Sequence, residues 1–295
     1  MRIGIIGLGL IGGSLGRDLC LNPENYVWGI SRNESTCEQA IAMQAVHFAA
    51  QDISQISQLS QTNLIFICTP IAAILPTIAQ IAPYLSPQTV ITDVGSVKVA
   101  IVDAAEKLWD RFIGAHPMAG NAFSGIQAAE LGLFQGRPCV ITPNTQVNFQ
   151  GDFQDNFQSS LDALNLVRQV WQSLGAVIYE CSPVAHDCAV AWISHLPVFV
   201  SASLIQACTE EVNPIVADLA KHLASSGFRD TSRVGGGNPQ LGRYMAEYNR
   251  EALLLSLEKY QLVLQAAIAQ IQANDWQGIE ELLTQTQVNR SAFLD

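Results

Sequence analysis

Apolar and polar positions alternate in blocks along the first half of the chain. Short apolar runs at Arg2–Ile6, Tyr26–Ile30, Asn63–Thr69, Thr89–Val94, Phe112–Ala115 and Ala176–Cys181 predict strands. Between them, Leu10–Leu21, Ser35–Gln44, Ile71–Ala82, Lys98–Trp109 and Leu161–Leu174 carry helical spacing or composition. The first of these stops near Asn22-Pro23, and the last ends at Gly175, which suits a helix C-terminus. This alternation predicts a parallel sheet with helices on both faces. The segment Thr142–Asp162 is polar, rich in Asn and Gln, and reads as a loop at its start. After Pro183 the texture changes. Ala185–Cys208, Pro214–Ser225, Pro239–Ala273 and Trp276–Thr286 read as helical, with almost no strand signal. The expected fold class is therefore α/β over residues 1–182 followed by an all-helical domain over 183–295.

Composition narrows the functional classes. The chain has 295 residues, enough for two domains at ~150 each. Its net charge of −11 argues against a nucleic-acid binder, which needs clustered cations to displace counterions from phosphates. Only 14% of residues are charged and 49% are hydrophobic, so there is ample apolar surface to bury and disorder is not expected. So few charges also point to surface covered by a second subunit. No charge occurs from Ile53 to Thr92, but Pro70, Pro76, Pro83 and Pro87 divide that run into pieces too short for a membrane span. The uncharged run Cys188–Thr209 contains His195, Pro197 and several serines, and reads as a buried interface helix. Met1-Arg2 and the apolar residues after them resemble a signal peptide only superficially, because glycines break the apolar stretch. The seven cysteines form no C-x-x-C pair and no zinc-spaced cluster, so no metal site is expected. Scattered in this way they read as free thiols of a cytoplasmic protein.

The glycines themselves carry the first chemical signal. Gly7-Leu8-Gly9-Leu10-Ile11-Gly12 matches G-x-G-x-x-G, follows a predicted strand and opens a predicted helix. That context defines a Rossmann-type dinucleotide site. The first glycine permits a tight turn, the second lets backbone approach a pyrophosphate, and the third allows close helix–sheet packing. The helix N-terminus then offers free N–H groups to the phosphates. After the second strand, where an acidic residue would bind the ribose 2′-hydroxyl of NAD, this chain has Ser31-Arg32. A hydroxyl and a guanidinium suit a 2′-phosphate, so the expected cofactor is NADP, with Thr36 as a further phosphate ligand. Thr69 and Pro70, at the end of the third strand, join the cofactor-binding candidates.

Other polar clusters lie beside predicted strand ends, where ligands of open α/β sheets bind. Asp93-Val94-Gly95-Ser96-Val97-Lys98 is one and Gly114-Ala115-His116-Pro117-Met118-Ala119-Gly120 is another. His116 is the candidate general base, since an ordinary histidine titrates near neutral pH. Ser96 could hydrogen-bond the same substrate hydroxyl or orient the histidine. Ser194-His195-Leu196-Pro197 places a histidine in a long apolar helix, where a satisfied core histidine is the commoner explanation. His186-Asp187 could form a helix-start pair or line the same cleft. In Ser225–Arg233, Arg229 and Arg233 are four residues apart and could clamp a carboxylate, or form a helix-end charge pair with Asp230.

Taken together, GLGLIG at 7–12, DVGSVK at 93–98, GAHPMAG at 114–120, AWISHLP at 191–197 and GFRDTSR at 227–233 resemble the prephenate/arogenate dehydrogenase family of tyrosine biosynthesis. The stretch SRNEST at 31–36 most resembles the single-function, NADP-using arogenate dehydrogenases. The resemblance implies oxidative decarboxylation of a cyclohexadienyl substrate. His116 would accept the ring hydroxyl proton and Ser96 would hold that hydroxyl. Arg233, Arg229, Asp230 and His195 would bind substrate in a pocket between the two domains, and the helical domain would form a homodimer. Arogenate is the expected substrate. Prephenate stays open, because the residues from Asn121 to Ala129 include no acid to meet an ammonium group. A β-hydroxyacid dehydrogenase or imine reductase would instead use a lysine or aspartate on the first long helix of the second domain. That stretch carries His186, Asp187 and His195 and no lysine. A non-catalytic NADP-binding sensor would need the glycine motif but not His116, Ser96 and Arg233 together.

Overall fold

The computed structural model describes residues 1–57, 59–121, 123–143 and 153–293. They divide into two compact units, Met1–Val190 with Gly236–Asn249, and Ala191–Gly235 with Arg250–Asp295. The division falls beyond the change of sequence texture at 182, and the segment 236–249 returns to the first unit.

The first unit is built on an eight-stranded sheet. Its strands are β1 (Arg2–Ile6), β2 (Tyr26–Ile30), β3 (Phe48–Ala50), β4 (Leu64–Ile67), β5 (Val90–Asp93), β6 (Phe112–Pro117), β7 (Pro138–Thr142) and β8 (Val177–Glu180). Its helices are α1 (Leu10–Leu19), α2 (Glu34–Ala42), α3 (Ile71–Ile81), α4 (Val99–Leu108), α5 (Phe153–Ser173), α6 (Pro183–Val190) and, from the later segment, α10 (Pro239–Tyr248). The spatial order is β3-β2-β1-β4-β5-β6-β7-β8. All neighbouring strands are parallel except β6 and β7, which run antiparallel, so the sheet is not purely parallel as the alternation implied. The strand order reverses between β1 and β4, which creates a crevice at their carboxyl ends.

Burial explains the apolar runs. Along β4, Leu64 and Phe66 join a core with α1 and α5, while Ile65 and Ile67 join a second core with α3 and α4. A strand covered on both faces reads as a continuous hydrophobic run, and that is how β4 was visible in the sequence. Pro76 does not interrupt α3. Pro76 and Ala72 are both exposed, so the carbonyl that loses its donor faces water. Two strands escaped the pattern: β3 spans only three residues, and β7 joins the sheet antiparallel to β6. The expected loop at the start of Thr142–Asp162 lies largely outside the described residues, and α5 begins at Phe153, before the predicted Leu161.

The second unit is helical. A π-helical turn, Ala191–His195, leads into α7 (Leu196–Thr209), followed by α8 (Pro214–Leu223), α9 (Ser226–Ser232), α11 (Arg250–Gln272) and α12 (Trp276–Ser291). The helix predicted over Pro239–Ala273 is two helices. Asn249 interrupts it with φ −123° and ψ 37°. Its side-chain amide donates to the carbonyl of Asp187 at 2.8 Å.

Candidate active site

The glycine motif occupies the turn after β1. Gly7 has φ +105°, and its N–H donates to Ile30 O at 2.9 Å, which ties the turn to the end of β2. A Cβ on Gly7 would meet the backbone of Cys68 at 2.5 Å, and one on Gly12 would meet Gly7 O at 2.0 Å. Both positions are closed to any larger residue. Gly9 is the opposite case, because a Cβ there would find open space. That opening sits at the start of α1, which has no side-chain cap and no acidic residue in its first turn. Free N–H groups, a positive helix end and open space fit an anionic pyrophosphate. Thr69, after β4, has a buried hydroxyl without a hydrogen-bond partner among the described residues.

At the end of β2, Ser31 N–H donates to Ala50 O at 3.1 Å, and Arg32 is exposed. Arg32 forms no ion pair among the described residues. Thr36 lies in the first turn of α2, where its N–H is taken by the Asn33 side chain.

The strongest electrostatic feature lies at the carboxyl ends of β5 and β6. Lys98 is fully buried and its ammonium pairs with the buried carboxylate of Asp93. The same ammonium donates to Ala115 O at 2.7 Å. Asp93 in turn accepts Gly95 N–H at 2.8 Å and Ala115 N–H at 3.2 Å. Burial pushes the Lys98 ammonium below the usual lysine range, and the adjacent Asp93 charge pulls against it. This pair locks the DVGSVK turn to the backbone residue just before His116.

His116 lies within β6 itself, not in a loop after it. Its side chain is buried and its Nδ1 meets His186 Nε2 at 2.9 Å. His186 Nδ1 meets Asp187 Oδ1 at 2.7 Å. Asp187 also caps the start of α4, accepting Lys98 N–H at 2.7 Å and Val99 N–H at 2.9 Å. The nitrogen partner of His116 Nδ1 is thus His186, while Ser96 is half-buried in the turn after β5. The histidine–aspartate pair was visible in the sequence only as two adjacent polar residues at a helix start. Its place in this chain depends on α6 packing against α4, a contact of high sequence separation.

The second unit holds the remaining candidates. His195 is fully buried in the π-helical turn. Arg229 lies in the last turn of α9 and Arg233 is its C-cap, both exposed, and neither pairs with Asp230 among the described residues. Helical spacing of four puts the two guanidiniums on one side. Among the described residues no group of three or more His, Cys, Asp or Glu could hold a metal ion.

A glycine turn at a reversal of strand order, with a buried histidine at the same edge of the sheet, defines a dinucleotide-binding oxidoreductase fold. Comparison with known proteins narrows this. Residues 15–180 match the family model "Prephenate dehydrogenase, nucleotide-binding domain", and residues 182–285 match "Prephenate dehydrogenase, dimerization domain". The chain belongs to the prephenate dehydrogenase family. It is 49% identical to a Synechocystis arogenate dehydrogenase of known crystal structure, covering 99% of this chain and 100% of that one, with a TM-score of 0.84. It is 30% identical to the prephenate dehydrogenase of Bacillus subtilis over 85% of its own length, and spans 64% of that relative. An Aquifex aeolicus prephenate dehydrogenase, solved with hydroxyphenyl propionate and NAD+, shares the fold at a TM-score of 0.89 and 23% identity, covering 99% of this chain and 98% of that one.

Proposed function

We propose that this enzyme oxidatively decarboxylates arogenate to tyrosine with NADP as hydride acceptor. The observation that carries the substrate class is the 49% identity to an arogenate dehydrogenase across 99% of the chain. The site chemistry agrees with it. The substrate is a cyclohexadienyl ring with a hydroxyl on one carbon and a carboxylate on the opposite one. His116 accepts the hydroxyl proton, and Ser96 holds the hydroxyl oxygen. A bound nicotinamide supplies the acceptor for the hydride on the same carbon. Carbon dioxide then leaves the opposite carbon and the ring becomes aromatic. Arg233 and Arg229 bind the substrate carboxylates, with Asp230 and His195 completing the substrate set. Two exposed guanidiniums without ion pairs among the described residues suit that task.

The pyridine nucleotide rests on Gly7, Leu8, Gly9, Leu10, Ile11 and Gly12, with Thr69 and Pro70 beside it. Ser31, Arg32 and Thr36 favour the 2′-phosphate of NADP. The exposure of Arg32 supports this choice. Ser31→Asp combined with Arg32→Ala should shift the ratio of kcat/KM values toward NAD, and an unchanged NADP preference would remove these residues from that role.

The protein acts as a cytoplasmic homodimer through its helical domain. The match to a dimerization domain supports this, as do exposed apolar residues such as Leu219 and Leu223 on α8 and Leu255 and Leu262 on α11. Two helical runs, Pro183–Thr209 and Arg250–Gln272, are long and apolar enough to cross a membrane by length and composition, and a subunit interface accounts for that character.

The deciding experiment offers prephenate or arogenate with NAD or NADP and follows reduced nicotinamide absorbance. Turnover with arogenate and NADP supports the full assignment. Turnover with prephenate alone transfers the substrate assignment and keeps the chemistry. No turnover with any pair, from protein that still binds NADP, ends the reading.

A further inference from the structure

We propose that His186 and Asp187 are positioning residues that hold a hydrogen on Nδ1 of His116 and thereby make its Nε2 the proton acceptor. This role rests on reading His116 as the general base.

The chain of contacts starts at the carboxylate. Asp187 accepts two backbone N–H groups at the start of α4, Lys98 N at 2.7 Å and Val99 N at 2.9 Å. A carboxylate can only accept hydrogen bonds. Its third contact, 2.7 Å to His186 Nδ1, therefore requires the hydrogen on that nitrogen. A neutral His186 then has a lone pair on Nε2. That atom lies 2.9 Å from His116 Nδ1, so His116 must be the donor in this pair. A neutral His116 that donates from Nδ1 carries its own lone pair on Nε2. The linked contacts thus select one tautomer of the base, which hydrogen-bond geometry around a ring nitrogen can do.

The same contacts stabilise the charged product of proton transfer. When Nε2 of His116 takes the substrate hydroxyl proton, the ring becomes cationic. The charge is shared across the Nδ1–His186 contact and faces Asp187. No further acid, base or oxidant is needed. The groups around the ring support this balance. Lys98 from the start of α4 and Asp93 from β5 neutralise one another, and burial pushes the Cys139 thiol on β7 up to about 12, so it stays uncharged. Asp187 is the carboxylate left to answer the histidine cation. It is also fixed in place, because Asn249 holds its backbone carbonyl at 2.8 Å.

The test compares His186→Leu, which removes the acceptor, with His186→Gln, whose amide oxygen can still accept from Nδ1. Each is read by kcat, KM, NADP affinity, melting temperature and the 15N shifts of the His116 ring. His186→Leu should lower kcat by about 10- to 100-fold with KM and NADP affinity near wild type. Its His116 should lose the pattern of a protonated Nδ1 and an unprotonated Nε2. His186→Gln should restore most of kcat and that pattern. The proposal is overturned if His186→Leu keeps kcat within about twofold of wild type, or if both variants lose NADP binding in parallel with activity. His116→Ala separates the two readings. If it turns over like wild type, the base assignment fails. If it is inactive while His186→Leu is active, only the positioning role fails.

Discussion

The carboxyl edge of the sheet and helix α9 carry candidate site residues in opposite ways. At the sheet edge, Asp93, Lys98, His116, His186 and Asp187 are all buried, and each has a named partner. On α9, Arg229 and Arg233 are exposed and without ion pairs among the described residues, and α8 has no buried residue at all. A buried polar group must be satisfied inside the fold, because leaving it unpaired costs the full desolvation penalty. An exposed guanidinium is satisfied by water and is free to exchange that water for a ligand. The first region is therefore preorganised, whereas the second depends on what comes to cover it.

This contrast can be broken from either side. The largest effect is expected at His116. His116→Ala should lower kcat by ~10²- to 10⁴-fold, the usual range for loss of a general base, and should also lower the melting temperature, because it leaves the buried His186 Nε2 unpaired. A large rise in KM with unchanged kcat would defeat the assigned role. Next comes Lys98→Met, which leaves Asp93 buried and uncompensated. It should destabilise the protein by about 3–5 kcal/mol in denaturant titration, and a loss under ~1 kcal/mol would show that the pair does not anchor this edge. Arg233→Ala tests the other region. Its expected signature is a rise in KM of about tenfold or more, from one charge-assisted hydrogen bond, with stability unchanged within ~0.5 kcal/mol. An unchanged KM would remove Arg233 from the substrate set.

The smallest effect is an alkaline one. Burial raises the Cys139 thiol to about 12 and the Cys20 thiol to about 11 from a usual value of 9.0. The folded state then holds protons that the unfolded state releases. The stability this represents is complete below pH 9 and is lost as pH rises toward 12. Cys139→Ala should lessen the alkaline slope of unfolding free energy by at most ~1.4 kcal/mol per pH unit. An identical slope in both proteins would contradict it.

The glycine motif, the sheet alternation and strands β1, β2, β4, β5 and β6 could be read from apolar runs because burial on both faces leaves a continuous hydrophobic signature. Strand β8, largely exposed, was still visible as a short apolar run after a glycine. Strand β3 was too short for periodicity to mark. His116 was legible as a candidate base from its place beside a predicted strand end and from the ordinary titration range of histidine, whereas its burial within β6 was not. A residue's partners across the fold leave no local pattern, and His186, 70 positions away, is the example.

The sequence alone determined where the dinucleotide turn forms, because glycine is the residue type that tolerates φ +105° at Gly7 and the close approach at Gly12. It also determined the change from mixed to helical architecture, because hydrophobic period is a local property. Only the tertiary structure decided that Asp187 caps α4, that Lys98 points inward to Asp93, and that His186 stands between His116 and a carboxylate. Two of those contacts, Asp187 to Lys98 N and His186 to His116, join segments far apart in the chain, and the strength of all of them comes from the low-dielectric interior that folding creates.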